Sequence, residues 1–190
     1  MKKQLFNFTL LCKVSFLILL ILITAGCTLL EEKDIQFVRS NLEDYYASTT
    51  PYKEKISIKL STEEILNGIP KPVKINSIYD TEVWIIKTYE KNDNKEIDIL
   101  IGLDSHVSSS KGTMLSHFRL NEDNTYTVGR VKLRAFDENG EFKGFASGSG
   151  DNEGKYGQFL SYTFEKEDLI NRKELFLEIS GLYLLNYQIK

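Results

Sequence analysis

Apolar and polar residues alternate with a period of two over most of the chain beyond residue 53, the pattern of strands with one buried face. The cleanest alternation is 97–103, where Ile or Leu occupies every second position. The segment 83–89 is apolar on both faces and predicts a central strand. The segment 182–189 stays apolar almost to its end, which predicts a terminal strand tucked into a sheet; an exposed edge awaiting a partner strand is the alternative.

Eight to ten short strands with polar turns are expected, and the spacings between them are too short for helical crossovers. Asp137 to Gly140 predicts a hairpin, Gly129 predicts a bulge, and the Gly- and Ser-rich segment 148–157 predicts a loop. The piece 136–140 resembles parts of immunoglobulin-like extracytoplasmic domains. We therefore predict a mainly β fold, an antiparallel immunoglobulin-like β-sandwich with a short N-terminal helix.

Two segments carry helical signals. Between residues 35 and 45 the apolar positions recur at three- and four-residue steps, which predicts a helix near 32–47. Ser61 and Glu64 have the spacing of a capping box, and Gly68 offers a stop, so a helix of one or two turns is expected there.

The N-terminal segment has the layout of a secretory signal peptide. Three lysines, Lys2, Lys3 and Lys13, precede thirteen uncharged residues, 14–26, that end in Ala and Gly. A membrane-spanning helix needs about 20 apolar residues, so this run is better sized for a signal peptide than for a stable span.

The segment 23–27, Ile-Thr-Ala-Gly-Cys, resembles the lipobox of bacterial lipoproteins, with Thr24 at a position that is most often Leu. The resemblance implies that the sulfur of Cys27 carries a diacylglyceryl group, with fatty acyl chains such as palmitate. It also implies that Cys27 becomes the first residue of the mature protein. Two acyl chains give stable membrane attachment where one gives marginal binding. The alternative is an uncleaved signal anchor with Cys27 free at the membrane surface.

Composition and prolines give the expected domain organisation. We predict a signal peptide over 1–26, a lipid anchor, helix and connecting strand over 27–70, and a β-sandwich domain over 71–190, since Pro70 and Pro72 interrupt the chain. Of 24 Lys and Arg residues three lie in 1–26, which leaves 21 against 27 Asp and Glu, a net charge of −6. An acidic body argues against nucleic-acid binding, which needs a basic face.

Catalytic and metal motifs are weak. The chain has only two histidines, His106, expected in the loop 104–112, and His117, expected on the polar face of a strand. With few His and Cys residues no zinc site is predicted, and no cofactor is expected. Two acidic segments, 137–141 and 151–153, carry oxygen ligands of the kind that calcium binds, but turn chemistry is the stronger explanation of both.

Aromatic residues are the remaining lead. Tyr45, Tyr46, Tyr183 and Tyr187 are candidates to line a groove for a partner or a sugar, or else to fill the core. Trp84 lies inside an apolar strand and is expected in the core.

These patterns predict a cell-membrane lipoprotein, lipid-anchored at Cys27 and facing outside the cytoplasm. Its expected role is that of a non-catalytic binding module for a protein, a cell-wall polymer or a small ligand. The alternatives are a carboxylate-based hydrolase of cell-wall glycans and an immunity or inhibitor lipoprotein. We identify no catalytic residue from the sequence, so enzymatic activity is left open and disfavoured.

Overall fold

The alternating segments form antiparallel strands in the computed structural model, which describes residues 33–107, 110–152 and 154–190. The predicted leader and Cys27 lie outside the described residues. The described helices are α1 (Ile35–Ser40), α2 (Thr62–Asn67) and α3 (Lys166–Ile170). The strands are β1 (Tyr45–Pro51), β2 (Ile56–Ser61), β3 (Val73–Ile78), β4 (Thr81–Lys91), β5 (Glu96–Ser105), β6 (Lys111–Ser116), β7 (Phe118–Leu120), β8 (Tyr126–Val128), β9 (Lys132–Asp137), β10 (Gly140–Phe142), β11 (Phe145–Asp151), β12 (Gln158–Glu165), β13 (Glu174–Ser180) and β14 (Tyr183–Ile189). None of the described helices has the length and apolar content needed to span a bilayer.

The strands form sheets of five, four, three and two strands, in the orders β11-β12-β5-β4-β3, β10-β9-β13-β2, β1-β14-β6 and β7-β8. The mainly β, antiparallel fold predicted from the sequence is confirmed, and it is consistent with a β-sandwich. Strands from both sides of the division expected at residue 70 pair with one another, β1 with β14 and β2 with β13. The finer, immunoglobulin-like arrangement stays a prediction.

The main core lies between the five-stranded and four-stranded sheets. The alternating side chains of β5, Ile97 to Leu103, are at most 1% exposed and join Tyr162 of β12 and Leu177 of β13 in one apolar cluster. Burying a side chain of this size contributes about 1.5–3 kcal/mol each, which fixes the register of β5 because a one-residue slip would expose the whole set.

A second, smaller core lies under α1. The predicted N-terminal helix is present as α1, but its expected end near residue 47 is wrong. The helix ends at Ser40, and Tyr45 opens β1 opposite Ile189. The side chains of Ile35, Val38 and Tyr45 nevertheless share one apolar cluster, so helix and strand contribute to the same surface. The helical spacing of apolar residues therefore corresponds to a helix only as far as Ser40. The residues from Tyr45 onward form a strand because they pair with β14.

Arg39 ties α1 to the sheet residues beside it. Its guanidinium lies 3.9 Å from the ring centroid of Phe118, and its Nη1 donates to both carboxylate oxygens of Asp151 at 3.1 Å. Arginine combines ring stacking with carboxylate pairing in this way because its charged group is planar.

Several turn and cap predictions hold. The backbone N–H of Glu64 donates to Ser61 Oγ, the N–H of Ser61 donates to Glu64 Oε2, and Gly68 ends α2 with φ of 81°. The hairpin signal is confirmed, since β9 and β10 join there and Gly140 has φ of 114°.

Two loop predictions are wrong. The first half of 148–157 is strand, because β11 pairs with β12 as far as Asp151. Its glycines permit close packing rather than a loop: a Cβ on Gly150 would lie 2.9 Å from the ring of Phe159. Gly129 follows β8 instead of forming a bulge, and its N–H donates to the carbonyl of His117 at 2.7 Å.

His117 was expected on a polar face and is instead 1% exposed, in the break between β6 and β7. Its Nδ1 lies 2.7 Å from Gln158 Oε1, which also accepts from the His117 backbone N–H at 2.9 Å. Burial lowers the pKa of His117 from its usual 6.5; the Gln158 hydrogen bond and the Asp151 charge oppose this shift, and the Arg39 charge adds to it. The imidazole is therefore neutral in the folded protein at neutral pH.

This burial predicts a loss of stability in weak acid. Below about pH 6.5 the unfolded chain binds a proton at His117 that the folded chain does not, so the free energy of unfolding falls with pH until the lowered folded pKa is reached. We expect His117→Asn to show a smaller fall than wild type when chemical denaturation is compared at pH 7.5 and 5.5. Equal falls in the two proteins would contradict a neutral, buried imidazole.

Candidate ligand groove

The three-stranded sheet has two chemically different faces because its strands alternate. Tyr187 and Leu185 of β14 point to the face that α1 covers, together with Tyr45. On the other face, cross-strand neighbours form two polar rows, Tyr46–Gln188–Lys111 and Ser48–Asn186–Thr113. Within the second row Thr113 Oγ1 donates to Asn186 Oδ1 at 3.0 Å.

The turn between β3 and β4 lies at the free edge of β6. The N–H of Asp80 donates to the carbonyl of Thr113 at 3.0 Å, and Asp80 Oδ2 accepts from the Thr113 N–H at 2.8 Å. These two bonds hold Tyr79 at the same edge, with φ of 50° and 67% of its surface exposed. A positive φ is rare for a bulky residue, and such strain concentrates at functional positions.

Together the sheet face and the turn line an open groove of about 610 Å³. Tyr46, like Tyr79, is 67% exposed there. The lining residues are Tyr46, Ala47, Ser48, Tyr79, Asp80, Lys111, Gly112, Thr113, Asn186, Tyr187 and Gln188. This volume lies in the range of small-ligand sites, which combine aromatic surfaces with a few placed polar groups.

The chemistry of the groove suits binding better than hydrolysis. Asp80 supplies the one carboxylate among the described lining residues, and its Oδ2 already accepts a backbone hydrogen bond. Glycosidases of the usual kind need two carboxyl groups about 5–10 Å apart around the scissile bond. The described lining offers aromatic rings, amides, hydroxyls and the side chain of Lys111 instead.

The aromatic candidates separate in the structure. Tyr46 lines the groove, as one of the two sequence hypotheses expected, whereas Tyr187 borders the groove but belongs to the small core under α1. Tyr45 fills the small core on the opposite face, 5.8 Å from Tyr187 between ring centroids, and Tyr183 is not among the described lining residues. The sequence analysis did not identify Tyr79 as a groove residue. Its only signal in the sequence is its position before Asp80, in the turn between two predicted strands.

Trp84 was expected in the core and is half-buried on the outer face of the five-stranded sheet. Its indole N–H donates to Glu82 Oε2 at 3.2 Å, and Lys155 Nζ lies 4.7 Å from its ring centroid. The prediction of a core position for Trp84 is wrong because β4 carries apolar side chains on both faces of the sheet, the outer face as well as the core face. Here the outward ones are covered by Tyr156, whose ring centroid is 6.3 Å from that of Trp84.

Beside Trp84, three potential metal ligands converge. Glu82, Asp104 and His106 each offer an atom within 4.8 Å of the others. His106 follows β5 directly, in agreement with its expected loop position.

Three carboxylates of the two acidic segments, 137–141 and 151–153, form ion pairs with arginine side chains. Asp137 pairs with Arg172, and Glu141 pairs with Arg134 at 2.9 Å. Asp151 pairs with Arg39 at 3.1 Å. These contacts, with the hydrogen bond from the Asn139 N–H to Asp137 Oδ1, engage Asp137, Glu141 and Asp151 in turn and ion-pair chemistry.

Comparison with known proteins adds little. No family model matches the chain, and no curated protein matches it. Among solved structures it is similar to the envelope protein VP37 from White Spot Syndrome Virus, at 12% identity and a TM-score of 0.37, over 76% of this chain and 98% of that one. A likeness at this level carries no argument about fold or function.

The groove depends on Gly112, which predicts a stability effect. A Cβ at this position would lie 2.3 Å from Asp80 Oδ2 and 2.5 Å from the Tyr187 hydroxyl oxygen, so Gly112→Ala must displace the β3–β4 turn or the tyrosine. We expect a loss of about 1–3 kcal/mol in the free energy of unfolding, measured by chemical denaturation. Gly144→Ala is the matched control, because its Cβ would meet nothing closer than 3.3 Å, the Asp168 carboxylate. Equal stabilities of the two variants would contradict the close packing at Gly112.

Proposed function

We propose that this chain is an extracytoplasmic lipoprotein, held at the cell membrane by lipid on Cys27, whose groove binds a ligand without transforming it. The anchor is supported by the sequence pattern of 14–27, and the binding role by the exposed Tyr46 and Tyr79 side chains at one groove. The exposed aromatic pair is the observation that carries the binding role.

The ligand class follows from the lining. Rows of hydroxyl and amide groups on the sheet face, flanked by two exposed tyrosine rings, suit a polar chain with flat apolar faces, such as a glycan segment of the cell wall. Tyrosine rings supply contact area at low entropic cost, since only two side-chain torsions are fixed.

The alternative of a glycan hydrolase is less well supported. The described groove lining carries one carboxylate, Asp80. Another close carboxylate pair, Glu82 and Asp104, does not line this groove, and Asp104 is 2% exposed. The described residues offer no comparable support for an immunity or inhibitor role beyond the net charge.

The anchor predicts a labelling pattern. In cells of a bacterium that processes lipoproteins, fed a clickable fatty-acid analogue, the wild-type chain is expected to incorporate label and Cys27→Ala to lose it. Cys12→Ala is the matched control, because Cys12 lies in the segment removed by processing and its loss should leave labelling intact. Label retained by Cys27→Ala would overturn the anchor.

The groove predicts a binding defect that is separate from the anchor. With soluble peptidoglycan fragments as the probe, we expect the full chain in detergent to bind and Tyr46→Ala or Tyr79→Ala to weaken binding about tenfold, as removal of an aromatic anchor does. Phe176→Ala is the control, because Phe176 is 42% exposed on β13, away from the groove lining. Binding that is absent, or unchanged in both tyrosine variants, would exclude the groove as a site for this glycan.

A further inference from the structure

We propose that Glu82, Asp104 and His106 form a binding site for a divalent transition-metal ion, best suited to Zn²⁺. The site lies on the outer face of the five-stranded sheet and shares no residue with the described groove lining or with the lipid anchor. It differs from the two acidic segments weighed from the sequence, which contain no histidine.

Strand pairing places the three ligands. Glu82 of β4 and Asp104 of β5 are direct cross-strand partners, and His106 follows two positions later, on the side to which Asp104 points. Two carboxylates directly opposite one another repel, and a shared cation between them removes that cost. The sheet fixes the backbone of both carboxylates before any ion arrives.

The observed geometry fits a tetrahedral ion. His106 Nε2 lies 3.4 Å from Asp104 Oδ1. Two ligands bonded to one tetrahedral zinc at about 2.0–2.1 Å are separated by roughly 3.4 Å, so these two atoms already stand at the required distance. Glu82, whose ligand atom lies within 4.8 Å of both, completes three protein ligands after a small side-chain movement. A fourth position then remains for water or another ligand.

Asp104 supplies an independent sign that a cation belongs here. Its side chain is 3% exposed, and its Oδ2 accepts no hydrogen bond among the described residues; the nearest cation, Lys155 Nζ, lies 3.5 Å away. A buried carboxylate oxygen that accepts no hydrogen bond is costly, and a metal ion is one of the groups that compensates this cost. Burial raises the pKa of Asp104, and the charge of Glu82 adds to this shift. The interactions of Asp104 with His106 and Lys155 oppose it.

Two lysines already pair with the proposed carboxylate ligands, so they would compete with a metal ion, and this competition can be tested by mutation. Lys155, half-exposed, reaches Asp104, while Lys74 pairs with Glu82 Oε1 and leaves Oε2 to the Trp84 indole. An incoming ion must displace the Lys155 ammonium from Asp104. Loss of that ammonium should therefore strengthen metal binding, whereas a purely structural ion-pair cluster predicts no such gain.

The imidazole selects the metal. Calcium binds through oxygen ligands, whereas one imidazole with two carboxylates suits zinc and its neighbours in the first transition series. A preference for Zn²⁺ over Ca²⁺ is therefore part of the proposal.

The experiment titrates ZnCl₂ into the full chain in detergent, followed by calorimetry and by fluorescence. Trp84 is the only tryptophan of the chain, and its N–H bond to Glu82 makes it a reporter of the site. We expect one equivalent of saturable binding with a fluorescence change, and weaker binding of Ca²⁺. We expect His106→Ala to weaken Zn²⁺ binding about tenfold or more and Lys155→Gln to strengthen it.

Asp93→Asn is the matched control: it removes one exposed carboxylate at the opposite end of the same β4–β5 hairpin and should leave Zn²⁺ affinity unchanged. The His106 side chain is 46% exposed, so its replacement should spare the fold, which circular dichroism verifies. Absence of saturable Zn²⁺ binding, an unchanged affinity in His106→Ala, or equal loss in Asp93→Asn would overturn the site. A Ca²⁺ affinity equal to that of Zn²⁺ would overturn the assignment of the metal.

Discussion

The pairing of β14 with both β1 and β6 is the constraint on which the candidate ligand site depends. Because side chains alternate along β14, this one strand sends Tyr187 into the core under α1 and Gln188 toward the groove. A one-residue slip of β14 would exchange the two faces, exposing the apolar set and burying the polar one. The apolar contacts beneath α1 thus fix the register that builds the polar floor of the groove. Stability and the proposed binding role rest on the same pairing.

A second principle is the use of cationic side chains to balance carboxylates in and around the sheets. Asp98 accepts from Tyr89, Lys91 and Thr163, and hydrogen bonds from these side chains hold its pKa below its usual value despite burial. Asp104 is as deeply buried and lacks comparable close partners, so burial dominates and its pKa is raised. The contrast between two aspartates on one strand distinguishes a fully hydrogen-bonded carboxylate from one whose Oδ2 accepts no hydrogen bond among the described residues.

The sequence predicted what depends on short-range pattern and missed what depends on long-range contact. The alternation of 97–103, the capping box at Ser61 and the hairpin at 137–140 are local, and each appears as expected. The N-terminal helix is present but ends at Ser40 instead of near residue 47, because Tyr45 pairs with β14, more than 130 residues away. Of the two exposed groove tyrosines, the sequence analysis identified Tyr46 as a candidate. It could not identify Tyr79, which reaches the groove only because Asp80 is hydrogen-bonded to Thr113 of β6. The metal ligands were invisible in sequence, since 22 positions separate Glu82 from Asp104 and only strand pairing unites them.

The proposed anchor and the proposed binding role are compatible in charge. Lys33 leads into α1, which covers one face of the three-stranded sheet, while Tyr46 and Gln188 face the groove on the other. The net charge of −6 beyond residue 26 repels the folded body from an anionic membrane surface. In a protein anchored by lipid on Cys27, this repulsion would favour contact of the groove with a polymer outside the membrane over contact with the lipid itself.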